Sequence, residues 1–273
     1  MDIIFTLVLY NNSPEEIDPL ISSINNLKKI NKKIFLSVHD NGSKNNLEKH
    51  LSSKLDSEIT KIYHNSKYNV GFGKGHNCAY KKIKKFLNKN NNPENLLIVV
   101  NPDIFFEAKE ISKMIRFISD DKNNDVVCIS PLIYNNSNKI QHSAKRNPTI
   151  LSLLIGRLNF LEKINILQKY LTQNQNRELT GGGIFESSYL SGCFLLIKAK
   201  IFEKIKGFDE RYFLHFEDAD ITRELSKYGK CIHFPKAKIN HLWQRGSHKS
   251  KKQTIYLIQS MIKYFNKWGL SIF

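Results

Sequence analysis

Asp2–Tyr10 reads DIIFTLVLY, Pro14–Leu27 follows as PEEIDPLISSINNL, and Lys33–His39 as KIFLSVH. The first and third segments are short apolar runs ended by turn formers, Asn11-Asn12 and Asp40-Asn41-Gly42-Ser43, which predicts buried strands. Between them Ile17, Leu20, Ile21, Ile24 and Leu27 fall on one face of a helix. Strands that alternate with helices of this length predict a parallel sheet, and hence an α/β fold. The same alternation continues with a polar helix, a weak strand at Thr60–His64, a helix at Gly75–Leu87 and a buried strand, NLLIVV, at Asn95–Val100. Val126–Pro131 and Ser191–Lys198 predict two more strands. Ligands of such sheets bind beyond the carboxyl ends of the strands, so the chemistry is expected in the segments that follow them.

The rest of the chain is less regular. Asn88–Asn92 reads as a polar loop. Asn147–Glu186 holds an apolar, helix-like stretch and ends near Gly181-Gly182-Gly183, which suggests a mobile loop close to a ligand. A helix is expected at about Ala219–Tyr228, stopped by Gly229, and a basic amphipathic helix at Ser250–Trp268.

The 273 residues carry 42 Lys and Arg against 25 Asp and Glu, a formal charge of +17. That charge asks for anionic partners, although a composition heavy in Lys, Asn and Ile accounts for part of it. With 41% hydrophobic residues the chain can bury a core and is not disordered. Its four cysteines (78, 128, 193 and 231) lack metal-ligand spacing, which favours a reduced, cytosolic compartment. Neither a targeting signal nor a spanning helix is visible: Ile3–Tyr10 is too short and lacks a basic leader, and Ile150–Leu161 is interrupted by Gly156, Arg157 and Asn159.

Five segments could carry chemistry. Asp40 closes a strand where a carboxylate can accept the ring N–H of a pyrimidine, although Asp-Asn-Gly-Ser alone reads as a turn. NVGFGKGHN, Asn69–Asn77, lets backbone approach a ligand and opens a helix, but it has neither the dinucleotide fingerprint nor P-loop spacing. Asn101-Pro102-Asp103 ends a strand on an acid that can ligate Mg²⁺ or Mn²⁺ beside a diphosphate; a turn cap is the plainer alternative. GFDERYFLHFEDADITREL, Gly207–Leu225, is the most specific. It sets Asp209, Glu217, Asp218 and Asp220 among aromatic rings, which raises carboxyl pKa values as a general base requires. Asp220 is also placed to pair with Arg223 one helical turn on. In HLWQRGSHKS, His241–Ser250, His241 could complete a metal shell and Arg245 could clamp a diphosphate.

In this order and combination the five segments resemble the family 2 glycosyltransferases. The likeness is greatest to the bacterial rhamnosyltransferase-like branch that builds O-antigen and other surface polysaccharides. It covers nearly the whole chain and is most specific at Asn69–Asn77, Val100–Ile104 and Ser191–Gly229. The resemblance implies a GT-A fold, a Rossmann-like nucleotide-binding domain with a central mixed sheet. It implies a catalytic domain over residues 1–245 and an amphipathic helical tail over 246–273. It also implies Mg²⁺ or Mn²⁺, a nucleoside-diphosphate sugar donor and inversion at the anomeric carbon. By position, Asp40 would meet the base, with Tyr10 and Asn11 in the same pocket, and Asn69, Gly71, Phe72 and Asn77 would cover nucleotide and sugar. Asp103 would bind the metal, with Asn101 where the Asp-x-Asp motif has its first Asp; His241 would join the metal and Arg245 the diphosphate. Asp218 would be the catalytic base, and Glu217 would bind acceptor or hold Asp218.

The O-antigen members of this family act on polyprenyl-diphosphate-linked saccharides, which implies a cytoplasmic enzyme at the inner face of the cytoplasmic membrane. dTDP-rhamnose is the donor the resemblance favours; UDP-linked galactose, glucose, N-acetylglucosamine or galactofuranose stay open. Lys251, Lys252, Lys263 and Lys267 beside Ile255, Ile258, Ile262 and Phe265 read as an interfacial helix on an anionic membrane, or as a helix packed on the domain. Ile150–Leu171 is a further candidate contact for membrane, acceptor or a second copy in a homodimer. A nucleic-acid partner is disfavoured because the aromatics accompany carboxylates rather than Lys and Arg. A nucleotidyltransferase would carry a glycine-rich basic loop after its first strand, where this chain has Tyr10-Asn11-Asn12.

Overall fold

The computed structural model describes residues 1–87, 92–158, 161–242 and 251–273. The expected loop at Asn88–Asn92, except Asn92 itself, lies outside the described residues, and so does Arg245. In chain order the first half runs β1 (Ile3–Leu9), α1 (Pro14–Asn25), β2 (Ile34–Asp40), α2 (Glu48–Lys54), β3 (Thr60–Asn65), α3 (Phe72–Leu87) and β4 (Leu96–Val100). The middle adds β5 (Ile104–Phe105), α4 (Ala108–Ile118), β6 (Val126–Asn135), β7 (Ile140–Gln141), β8 (Ala144–Lys145), α5 (Ile150–Arg157) and α6 (Asn165–Asn174). The last part holds β9 (Phe185–Glu186), β10 (Tyr189–Leu190), β11 (Phe194–Lys198), α7 (Ala199–Lys204), α8 (Glu217–Ser226), β12 (Lys230–His241) and α9 (Lys251–Trp268).

The sheet order is β3-β2-β1-β4-β11-β6-β12-β5, with β7 on β6 and β9 on β12. The first four are mutually parallel, as the strand–helix alternation predicts. β11 then enters antiparallel between β4 and β6, so the sheet is mixed. Along β1, Ile3, Phe5, Leu7 and Leu9 point into one core, against Leu20 and Ile24 of α1 and Ile111 and Ile115 of α4. Ile4 points to the opposite core beneath α3, which it shares with Ile83 and Phe208, and on that face Thr6 Oγ1 lies 3.0 Å from His76 Nδ1. Both faces are thus covered, which explains why the strands read as unbroken apolar runs.

Two helices begin earlier than their periodicity suggests. α3 starts at Phe72 because Gly71, at φ +93°, turns the chain directly into it. α8 starts at Glu217, so Glu217 and Asp218 both lie in its first turn. His215 and Phe216, at φ 71° and 67°, make the turn into that helix. Two consecutive non-glycine residues in the left-handed region mark stored backbone strain beside the acidic segment. Among the described residues, the Gly181–Gly183 triplet lines neither the cleft beyond β1, β2 and β4 nor the cavity at the start of α8. Its turn follows Thr180, which hydrogen-bonds back to Asn176, and the nearest neighbour of a Cβ at Gly181 would be Ile140. The cysteines are free thiols. No described helix is long and apolar enough to cross a membrane.

Candidate active site

Beyond the carboxyl ends of β1, β2 and β4 lies an open cleft of about 1010 Å³. Tyr10 and Asn41 border it from the ends of β1 and β2, Asn69, Gly71 and Phe72 from the glycine loop, and Asn101 and Asp103 from the end of β4. Asn41 pins the loop: its Nδ2 donates to Gly71 O, and its Oδ1 accepts from Val70 N–H. Asn69 Oδ1 accepts from Gly71 N–H at 2.8 Å. The opposite wall includes Phe213, on whose carbonyl a Cβ at Gly71 would intrude to 2.4 Å. Only glycine can therefore bring the loop this close to the acidic segment.

Asp103 and His241 meet at the end of the cleft where β5 pairs with the end of β12. Asp103 Oδ1 and His241 Nε2 are 3.1 Å apart. His241 Nδ1 lies 2.9 Å from Gln141 Oε1 on β7, a contact that fixes the ring with its Nε2 edge toward Asp103. A carboxylate and an imidazole held by an outer hydrogen bond are a fitting donor pair for Mn²⁺ or Mg²⁺. Among the described residues no third acidic, histidine or cysteine side chain joins them.

A second cavity of about 630 Å³ lies between α5, α6, α9 and the start of α8. Glu217 and Asp218 form part of its wall, with Lys145, Arg146 and Tyr189 nearby and Leu154 and Ile258 on the outer side. Asp218 Oδ2 accepts from Tyr189 Oη at 3.1 Å and from Gly192 N–H at 3.2 Å, and Oδ1 accepts from Ala219 N–H. Glu217 is buried; desolvation first, and then the adjacent Asp218 carboxylate, push its carboxyl well above the ordinary range. Burial likewise lowers the Lys145 ammonium, which Asp218 opposes.

The two cavities meet at Gly192. A Cβ there would lie 3.2 Å from the Asp218 side chain and 3.2 Å from the ring of Phe72, which borders the first cleft. The structure therefore brings Tyr10, Asn69, Gly71, Phe72, Asn101, Asp103 and His241 into one cleft, with Asp218 and Glu217 across a one-residue partition.

Three expected residues stand elsewhere. Asp40 is buried behind the cleft, its carboxylate accepting from Ser43 N–H and Tyr63 Oη; its neighbour Asn41 reaches the lining instead. Asn11 donates its N–H to Ser43 Oγ and accepts from Lys44 N–H, tying the ends of β1 and β2 together. Asn77 pairs with both the N–H and the C=O of Phe208, anchoring α3 to the acidic segment rather than bordering the cleft.

Asp220 pairs with Lys267 and Trp268 of α9 rather than with Arg223, which packs over the Trp268 ring. Helix α9 supplies residues that the sequence did not single out for the site. Lys252 and Tyr256 border the first cleft, and Thr254, Leu257, Ile258 and Met261 border the second. Lys252 is the one Lys or Arg among the described lining of the first cleft. The helical periodicity held the clue, since apolar and basic residues on two faces of one helix imply two neighbours.

Residues 6–205 match the glycosyl transferase family 2 profile. The chain belongs to glycosyl transferase family 2. Its fold is the GT-A fold. It is 26% identical over 176 residues to the N-acetylglucosaminyl-diphospho-decaprenol L-rhamnosyltransferase of Mycobacterium tuberculosis, covering 63% of this chain and 56% of that protein. It is 21% identical over 167 residues to the rhamnosyltransferase WbbL of Escherichia coli, with 60% and 57% covered. The match thus spans little more than half the length of these relatives. Among solved structures it is similar to GalNAc-T7 with UDP, GalNAc and Mn²⁺, at TM-score 0.64 and 14% identity over 98% of this chain and 48% of that one. It is also similar to Staphylococcus aureus TarS with UDP-GlcNAc, at TM-score 0.59 and 14% identity, with 97% and 67% covered. At this identity the structural likenesses bear on the fold alone.

Proposed function

We propose that the chain is an inverting, metal-dependent rhamnosyltransferase. It moves L-rhamnose from dTDP-rhamnose in the first cleft to a polyprenyl-diphosphate-linked saccharide whose hydroxyl faces Asp218, in O-antigen or capsule synthesis at the inner face of the cytoplasmic membrane. The named activities of the two relatives support the sugar, and the decaprenol of the first supports the acceptor class. Residues 1–245 act as the catalytic domain, and the helical tail over 246–273 completes both cavities through α9.

One observation carries the reading. Phe72 and Asp218, which border different cavities, both flank Gly192, each 3.2 Å from where a Cβ there would lie. A sugar ring held against Phe72 therefore presents its anomeric carbon toward the Asp218 carboxylate. An acceptor hydroxyl between them loses its proton to Asp218 as its oxygen bonds the anomeric carbon. The bond from that carbon to the diphosphate oxygen breaks on the opposite face, which inverts the centre. Tyr189 Oη and Gly192 N–H fix the carboxylate for this transfer. A positioned base contributes roughly 10²–10⁴-fold.

Tyr10 and Asn41 flank the place of the base, with Asp40 behind them. Lys252 faces the diphosphate; Arg245, given the same role by its place in the sequence, lies outside the described residues. Asp103 and His241 would hold a divalent cation, whose chemistry when bound is to neutralise charge gathering on the leaving diphosphate. Glu217 contributes a protonated carboxyl to the acceptor wall.

Asp218→Asn tests the assignment. Transfer should fall by at least about 10²-fold while calorimetry with Mn²⁺ shows unchanged affinity for the nucleotide sugar. Loss of donor affinity together with turnover would make Asp218 a structural residue instead. The same titration, run with dTDP-rhamnose beside UDP-linked galactose, glucose, N-acetylglucosamine and galactofuranose, identifies the donor.

A further inference from the structure

We propose that the second cavity is a lipid-phosphate site: its cationic side binds the phosphate groups of the acceptor, and its apolar mouth binds the first stretch of the lipid chain. The inference rests on reading Asp218 as the residue that meets the acceptor. Lys145, Arg146 and Arg157 all border this cavity. None of the three lies within ion-pair distance of a carboxylate among the described residues, although the Asp218 carboxylate of the same cavity acts on Lys145. Arg157 is held at the mouth by a 2.7 Å hydrogen bond from its Nη2 to Thr254 Oγ1 of α9.

The other side of the cavity is apolar. Leu153, Leu257 and Met261 border its interior, and Leu154 and Ile258 form the mouth at 48% and 46% exposure. Leu158, Ile255 and Ile262 continue this surface outward, and neither α5 nor α9 contains an acidic residue. Unpaired cations beside an open apolar mouth match an anionic head joined to a hydrocarbon tail. A free phosphate would use only the first of these features and a neutral lipid only the second.

The test is a calorimetric titration of the full chain with farnesyl diphosphate below its micellar concentration, compared with inorganic pyrophosphate and with farnesol. Farnesyl diphosphate should bind at least about tenfold tighter than either. Arg146→Gln with Arg157→Gln should remove its advantage over farnesol, and Leu154→Asn with Ile258→Asn its advantage over pyrophosphate. Both double variants should keep wild-type affinity for nucleoside diphosphate and Mn²⁺, which certifies the fold at these exposed positions. Displacement of farnesyl diphosphate by nucleoside diphosphate would place it in the first cleft and overturn the proposal, as would wild-type binding by both variants. A chain that binds nucleoside diphosphate but not farnesyl diphosphate overturns this inference alone. A chain that does not bind nucleoside diphosphate removes the transferase mechanism beneath it.

Discussion

Glu217 and Asp218 are neighbours in the first turn of α8 with unlike surroundings. Asp218 accepts three hydrogen bonds, from Tyr189, Gly192 and Ala219, which fix its orientation. Burial and the adjacent Asp218 charge keep the Glu217 proton in place. Glu217→Gln preserves the shape of a neutral carboxyl and should therefore retain transfer within about tenfold, far from the loss expected at Asp218. Initial rates on one acceptor compare the two; equal collapse would give Glu217 the base role. Asp103→Ala removes the carboxylate opposite His241 and should raise the Mn²⁺ concentration for half-maximal transfer at least about tenfold, read from a metal titration of the rate. Full activity of this variant in chelator would dismiss the metal pair. The proximity of Asp103 to His241 was not readable from spacing, since two distant strands bring them together. The residue types offered each as a metal ligand separately, and the family resemblance placed both at one metal. The burial of Asp40 was equally hidden, because Tyr63 belongs to the neighbouring strand and a turn sequence does not show which way its carboxylate faces.

At the scale of elements, α9 is held to α8 by a charged and aromatic cluster. Lys267 and Trp268 both donate to the buried Asp220 carboxylate, across 47 and 48 residues, and Tyr264 and Phe265 pack against Phe216. Removing the carboxylate leaves the Trp268 indole N–H without its acceptor and the Lys267 ammonium with Asp209 and Glu224 alone, so Asp220→Ala should destabilise the chain by roughly 2 kcal/mol. Urea unfolding checks this, and a loss below about 1 kcal/mol would show that the cluster is incidental. The apolar runs of β1, β2 and β4 and the amphipathic stretches of α1 and α3 were legible because local periodicity determines them. Which face of α9 packs, and against what, depends on contacts far apart in sequence. The packed face is Ser260, Tyr264 and Phe265, while Ile255, Ile258 and Ile262 stay exposed. The glycine triplet misled for a related reason: three glycines permit a tight turn without specifying what lies beside it.

Over the whole molecule, two buried histidines set the acid response. Burial, then the nearby His64, lowers His39 to about 4, and burial, then His39, lowers His76 to about 3. The unfolded chain therefore binds protons near pH 6.5 that the folded chain does not, so stability falls as pH drops from about 6.5 toward 4. Each histidine contributes a loss of about 2 kcal/mol by pH 5. Glu217 works in the opposite sense, because its raised pKa makes the folded state the better proton binder above pH 4.5. The urea midpoint of Glu217→Gln should accordingly fall further between pH 7 and pH 5 than that of the wild type. Parallel slopes would show that Glu217 is ionised in the folded chain.

Helix α9 is a wall of both cavities, and the residues it gives to them lie within about three helical turns, from Lys252 to Met261. Were filling one cavity to shift this helix, the other would be reshaped and the two occupancies would be thermodynamically linked. Whatever factor bound nucleotide imposes on acceptor affinity, bound acceptor must return to the nucleotide. Order of addition and product release then become properties of one helix rather than of two separate pockets.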